Sequence, residues 1–238
     1  MIDLHSHVIP GIDDGAKSWE EAVAMCRMAQ ADGTELLVAT PHMFNGLYQP
    51  STSSVTEHIG LLKKRLRSER IGLEVMQGAE VHACPDLPLL LKEEPKLTLN
   101  GKSRYFLLEF PHSVIPPGAD QFVFQLVIKN LIPIVAHPER NLYVQRNIKL
   151  LEHLLRHGAI CQVTAMSFTG GFGPRARECA YELLRRNLVH VVASDAHNIT
   201  GRPPHLSEAR KAVQECVGSK KARELFETHP RKILNGEI

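Results

Sequence analysis

Seven short apolar runs, each followed by an amphipathic stretch, limit what this 238-residue chain can fold into. The runs are IDLH (2–5), ELLVATPH (35–42), LEVMQGAE (73–80), RYFLLEF (104–110), IPIVAHP (132–138), AICQVTA (159–165) and VHVVASDA (189–196). Helical periodicity falls between them, at 19–32, 54–69, 119–130, 147–157, 174–187 and 206–217, with a last stretch near 219–234. Strands that alternate with helices predict parallel pairing through right-handed crossovers. The runs are apolar throughout, as expected when both sheet faces are covered. Seven repeats predict a closed or nearly closed α/β barrel, with an open doubly wound sheet as the competing arrangement. No low-complexity segment or linker interrupts the pattern, so one domain over 1–238 is expected. Stretches 43–53 and 111–118 read as long loops, and 167–175 as a glycine-rich one.

Composition narrows the function classes. A net charge of +2 from 28 basic and 26 acidic residues gives no footprint of a nucleic-acid partner or a membrane surface. The basic run KKRLR (63–67) reads as a solvated helix face. Five scattered cysteines without a CxxC offer neither a disulfide framework nor a thiolate zinc site. Asp3 stands where a leader peptide would be basic, and no apolar run approaches the ~20 residues of a membrane span. A cytoplasmic protein without membrane insertion is expected.

The strand ends carry the chemistry. His5 and His7 close the first run, His42 the second, Glu80 the third, Glu109 the fourth and His137 the fifth, while Asp195 and His197 close the last. In a parallel barrel all C-terminal strand ends face one rim, where active sites are built. Imidazole and carboxylate together suit zinc, manganese or iron. A lone histidine at a strand end is usually a satisfied polar residue, and a lone carboxylate there is usually a helix cap. Recurrence at most of the strand ends favours metal, and so many donors exceed what one ion needs. Paired ions about 3.5–4 Å apart can activate water and neutralise phosphoryl charge.

The segments HSH, ATPH, GAE, EFP, AHPER and SDAH, in this order, resemble the polymerase and histidinol phosphatase (PHP) superfamily. Within it, DLHSHVIPGIDDGAKS, IVAHPERN, SFTGGFG and ASDAHNITGRPP are similar to the tyrosine-protein phosphatases of bacterial capsule and exopolysaccharide operons. The resemblance implies a distorted (βα)7 TIM-like barrel holding three divalent ions, manganese first, with zinc or iron as alternatives. The implied ligands are His5, His7, Asp14, His42, Glu80, Glu109, His137, Asp195 and His197. They would divide into His5, His7, Glu80 and Asp195 around one ion, a bridging Glu80 with Glu109 and His137 around a second, and Asp14, His42 and His197 around a third. Asp13 competes with Asp14 and would otherwise serve as a cap or support a ligand imidazole. Gly15 would permit the tight turn that follows.

A metal-bridging hydroxide would attack phosphorus, while Arg140 and Arg202, three and five residues past candidate ligands, would clamp the phosphate. His197, or another rim imidazole, would protonate the leaving oxygen. Glu139 would pair with Arg140 or act on a histidine. The loop MSFTGGFGPR (166–175) has two readings: glycine N–H groups binding an anion with Phe168 or Phe172 against an aromatic ring, or a βα loop with Phe172 packed on the barrel top. Phe44 and Tyr48 are weaker candidates for an aromatic wall. CAYELLR (179–185) has the C-x5-R spacing of thiol phosphatases, but its bulky helix formers point to a buried Cys179.

The resemblance implies a phosphotyrosine protein substrate, a tyrosine autokinase of a polysaccharide system. The alternatives are a small-molecule phosphatase of the histidinol-phosphate type, a PHP nuclease, or a catalytically silent kinase-binding regulator.

Overall fold

The computed structural model describes residues 1–101 and 104–237. Its strands are β1 (Ile2–Ser6), β2 (Leu36–Ala39), β3 (His42–Met43), β4 (Glu74–Gln77), β5 (Glu80–His82), β6 (Tyr105–Glu109), β7 (Ile132–Ala136), β8 (Ile160–Thr164) and β9 (Val191–Ala193). All pairings are parallel. Two of the seven expected strands are broken. Thr40 and Pro41 separate β2 from β3, and Gly78 and Ala79 separate β4 from β5.

The breaks split the wall into a sheet ordered β1-β2-β4 and a sheet ordered β3-β5-β6-β7-β8-β9. They change strand direction just below the rim, so the upper pieces pair with the rest of the barrel. The Gly78 backbone passes so close to its neighbours that a Cβ would lie 2.9 Å from both Val38 and Leu99 side-chain carbons. Between β9 and β1 the ring is completed by a parallel bridge, Ser6 to Ala196, with His7 N–H donating to the Ala196 carbonyl at 2.8 Å and Asp195 N–H to that of His5 at 2.9 Å. The result is a distorted (βα)7 barrel.

Inside it, Ile2, Leu4, Leu36, Val38, Tyr105, Leu107, Ile134, Ile160 and Val191 form one buried apolar cluster, joined by Leu99 and by Ile233 and Leu234 of the C-terminal helix. Outside, helices cover the wall. The Trp19–Ala31 helix starts at Ser18, whose side chain accepts from Glu21 N–H, and its buried face packs on Leu37, Ala39 and Val75. The larger outer cluster gathers Leu183, Leu184, Val213 and Phe226 around the outward faces of β5, β6 and β8. A helix at Leu87–Glu93 falls in a stretch to which the sequence assigns no element, and one at Ala165–Thr169 overlaps the start of the expected glycine-rich loop. Each is under two turns, too short to show periodicity.

Candidate metal centre

A β-bulge aims the first two candidate ligands. Asp3 pairs with Leu37 and Ser6 with Ala39, so β1 carries one residue more than its partner. The extra residue reverses the alternation. Ile2 and Leu4 therefore join the apolar interior, while His5 and His7 point into the mouth above it. Asp3, fully buried, holds the bulge by accepting from the N–H groups of Ser194 at 2.9 Å and His5 at 3.3 Å.

The two imidazoles meet Nε2 to Nε2 at 3.1 Å. Glu80 Oε2 lies 3.3 Å from each of these nitrogens, and Asp195 Oδ1 lies 3.3 and 3.4 Å from them. His42 turns Nδ1 toward Glu80 at 3.1 Å and Glu109 at 3.6 Å, and Nε2 toward Asp14 at 3.5 Å. His137 Nε2 is 2.8 Å from Glu80 Oε1 and 3.9 Å from Glu109. His197 Nε2 is 3.5 Å from Asp14. All nine sequence-derived candidates thus share one mouth.

Donor atoms of seven of them, all but His137 and Asp195, form three compact groups: His5, His7 and Glu80; His42, Glu80 and Glu109; and His7, Asp14, His42 and His197. His42 spans two groups, one ring nitrogen toward each, where the sequence reading gave it to one. Two candidates sit in left-handed backbone, His137 at φ 35° and Asp195 at φ 52°. Such conformations are costly for residues with a Cβ. Here they turn the side chains of His137, just after β7, and Asp195, just after β9, toward the other candidates at the rim.

The adjacent aspartates separate cleanly. Asp13 accepts from Gly15 N–H at 2.9 Å and His42 N–H at 3.0 Å, and its Oδ2 lies 2.7 Å from His7 Nδ1. Asp14, half-exposed, faces His42 and His197. Gly15 is needed for close approach rather than for turning, since a Cβ there would lie 2.0 Å from the His7 carbonyl oxygen. Gln162, which the sequence reading omits, plays for His5 the part Asp13 plays for His7: its Oε1 lies 2.9 Å from His5 Nδ1. An Nδ1–H donated to each acceptor leaves both Nε2 lone pairs directed at the centre. One signal could have found Gln162, because it is the one amide inside the apolar run of β8. His82 is also absent from the sequence-derived set, and its Nδ1 lies 3.5 Å from Glu109.

Electrostatics favour cations here. Burial works against the Glu80 carboxylate, but His5 and His137 outweigh it and hold its pKa well below the usual range. For Asp195, burial is likewise overcome, by His5, Arg202 and Arg140 among others. A hydrogen bond with His197 lowers Asp14. Glu80 Oε2 and His42 Nδ1 are buried without a hydrogen-bond partner, and such orphaned atoms are costly unless something binds them. This donor set fits divalent ions.

The arginines converge on the same carboxylate. Arg140 Nη1 contacts Asp195 Oδ2, and Arg202 Nη2 reaches it at 2.5 Å. Each returns through a tight turn. Arg140 N–H donates to the His137 carbonyl at 3.0 Å. Asn198 Oδ1 accepts from the N–H groups of Thr200, Gly201 and Arg202, and His197 N–H closes that loop on the Arg202 carbonyl at 2.9 Å.

Phe172 lies under both guanidinium groups, 4.3 Å from Arg140 and 5.7 Å from Arg202. Phe168 is buried edge-on against Tyr181, away from the mouth. Glu139 turns from the histidines and from Arg140. Fully buried, it accepts from Thr164 N–H at 3.0 Å and Ser167 Oγ–H at 2.7 Å, anchoring the His137–Arg140 turn to the end of β8. Tyr48 stacks near His42, whereas Phe44 packs toward the outer core. Cys179 lies inside the Gly173–Arg185 helix, with burial pushing its thiol up to about 12. It is no nucleophile.

Residues 1–235 match the family model described as capsular polysaccharide synthesis, CpsB/CapC. The chain belongs to the CpsB/CapC family. It is 39% identical to the tyrosine-protein phosphatase YwqE of Bacillus subtilis, covering 100% of this chain and 93% of the relative. It is 33% identical to the putative tyrosine-protein phosphatase CapC of Staphylococcus aureus, covering 100% and 90%. A solved structure, from a study of YwqE from Bacillus subtilis and CpsB from Streptococcus pneumoniae as unique metal-dependent tyrosine phosphatases, superposes with a TM-score of 0.96. It is 36% identical and covers 100% of this chain and 96% of that one.

Proposed function

We infer that this CpsB/CapC family member is a metal-dependent tyrosine-protein phosphatase that hydrolyses phosphotyrosine in proteins. Its inferred substrate is a bacterial tyrosine autokinase of capsule or exopolysaccharide synthesis. The observation that carries the reading is two arginines meeting on Asp195 at the edge of three histidine–carboxylate donor groups. The proposed ligands are His5, His7, Asp14, His42, Glu80, Glu109, His137, Asp195 and His197, holding three divalent ions, with manganese as the first candidate. We take residues 1–238 as one catalytic domain acting in the cytoplasm; none of the described helices is long and apolar enough to cross a membrane.

When bound, the ions supply an activated water and neutralise charge on the phosphoryl oxygens. Arg140 and Arg202 take the remaining phosphate oxygens through planar N–H forks. Phe172 keeps both guanidinium groups in place from below. Asp13 and Gln162 fix the rings of His7 and His5, so their Nε2 atoms need no rearrangement during turnover. As the bond from phosphorus to the phenolic oxygen breaks, a proton passes to that oxygen from a rim imidazole that holds no ion. A phenol with pKa near 10 leaves more readily than an alkyl alcohol, so this help is modest.

The test compares a phosphotyrosine peptide, histidinol phosphate and single-stranded DNA, after chelation and again after adding manganese back. Manganese-dependent turnover of the peptide above the others is expected. Preference for either of the others, or activity that survives chelation, overturns the reading.

A further inference from the structure

A line of cavities runs from the metal centre. It begins as a cavity of about 250 Å³ floored by Glu109, His137 and Arg140. His112 and Arg140 also line the next space, about 440 Å³, where Phe172 forms a wall. That space shares Leu142, Gln145 and Arg175 with a third, about 670 Å³, which ends between the Leu142–Arg146 and Gly173–Arg185 helices. Shared lining residues set the three spaces side by side in a line that starts at Arg140.

The far end is basic and unspent. Arg146, Arg175 and Arg185 line it, against Glu178 and Glu182. Glu182 is already engaged by Arg185 and Arg186, at 3.1 and 2.7 Å. Among the described residues, no ion pair or side-chain hydrogen bond involves Arg146 or Arg175, and both are exposed. Glu178 is the lining carboxylate outside any ion pair among the described residues, so Arg146 and Arg175 together leave a net positive charge at the end of the line of spaces that starts at the reaction centre.

We propose that this groove is the docking site for an acidic polypeptide segment flanking the phosphotyrosine, with Arg146 and Arg175 reading its carboxylates. The proposal rests on the phosphatase reading and adds a sequence preference to it. Continuity with the centre places the neighbouring substrate residues in the groove once the phosphate is held by Arg140 and Arg202. Charge complementarity then selects carboxylates over neutral or basic residues. Apolar lining from Leu142 and Phe172 suits the stems of extended side chains near the phosphotyrosine itself.

The test measures kcat/KM on three substrates: free phosphotyrosine, a phosphotyrosine peptide with Asp and Glu on both flanks, and the same peptide with Asn and Gln in their place. The wild-type protein, loaded with manganese, should favour the acidic peptide by about five- to tenfold, through KM, and 0.5 M salt should shrink the ratio. Arg146→Glu/Arg175→Glu should abolish or invert the preference while free phosphotyrosine turns over as before. No preference in the wild type, or a preference that survives the double variant, overturns the proposal. So does an equal fall on free phosphotyrosine in a variant of unchanged melting temperature, since the arginines would then serve the centre itself. Loss of the groove reading with phosphotyrosine still hydrolysed leaves the phosphatase reading intact; no turnover of any phosphotyrosine substrate sinks both.

Discussion

The floor and the rim of this barrel are buried alike and built from opposite materials. Below, Leu4, Val38, Leu107 and Ile134 meet in one buried apolar cluster. A few ångströms higher, His5, His7, Glu80 and Asp195 are at most 1% exposed, yet each carries charge or a lone pair. The floor is stabilised by area removed from water, at about 25 cal/mol per Å². The rim gains nothing that way. Its groups lose hydration and recover it only through one another, with Glu80 Oε2 and His42 Nδ1 left over. The floor supplies folding free energy, and the rim is held in place by strands the floor has already fixed.

That division can be broken from either side. Glu80→Gln, which removes the charge shared by four imidazole neighbours, should lower kcat/KM on phosphotyrosine by about a thousandfold or more, because metal-based charge stabilisation is worth several kcal/mol. Elemental analysis should find fewer bound ions per chain, and the far-UV circular dichroism should stay as in the wild type. Unchanged metal content and activity would remove Glu80 from the centre. Leu107→Ala makes the reverse cut. It should lower stability by about 2–5 kcal/mol in chemical denaturation. At 25 °C the surviving folded protein should keep most of its activity, and a large loss of kcat at full occupancy would show floor and rim to be one unit.

Sequence made the floor and most of the rim legible because both follow strand alternation. Tyr105, Leu107 and Glu109 lie two apart on one face, so the carboxylate lands above the apolar pair without further information. The rest depended on local departures. His5 faces the mouth through the β1 bulge, and bulges have no dependable sequence mark. His137 and Asp195 are aimed by left-handed backbone at non-glycine residues, where steric preference points the other way. His42 reaches two donor groups because β2 breaks at Pro41, which places its ring between them. Gln162 was hidden by its chemistry, an amide that binds an imidazole rather than an ion. Glu139 sits beside Arg140 in sequence, yet its partners are Thr164 and Ser167, set by tertiary packing alone.

Histidine itself sharpens the contrast. At the rim, carboxylates raise the pKa of His5 and His7 against their burial. His190, just before β9 at the floor end, has no such partner, and burial lowers it to about 4. Its Nδ1 accepts Cys161 N–H at 3.2 Å, which requires the neutral ring. The unfolded chain binds a proton near pH 6.5 and the folded one does not until about 4, so stability present above 6.5 is lost as pH falls through that window. Allowing for the ring's partial exposure, the loss is about 2 kcal/mol. His190→Asn, which keeps an acceptor, should flatten the fall in urea stability between pH 6.5 and 4 relative to the wild type. Equal slopes would mean that His190 titrates normally.

Phe172 belongs to neither layer and tests whether the arginines at the rim need an aromatic brace. Its ring meets both Arg140 and Arg202, so the two guanidinium groups that contact the Asp195 carboxylate also share one π-face. Cation–π contacts at partly exposed sites are worth about 0.5–1 kcal/mol each. Phe172→Leu keeps an apolar body and removes the quadrupole. It should therefore cut kcat/KM by about five- to tenfold through KM, equally on free phosphotyrosine and on peptides, with metal content and melting temperature unchanged. Phe172→Tyr should recover most of the loss. If Phe172→Leu is silent, Asp195 alone sets the arginines. If the loss appears on peptides only, the ring acts as a wall of the groove rather than as a brace for the phosphate clamp.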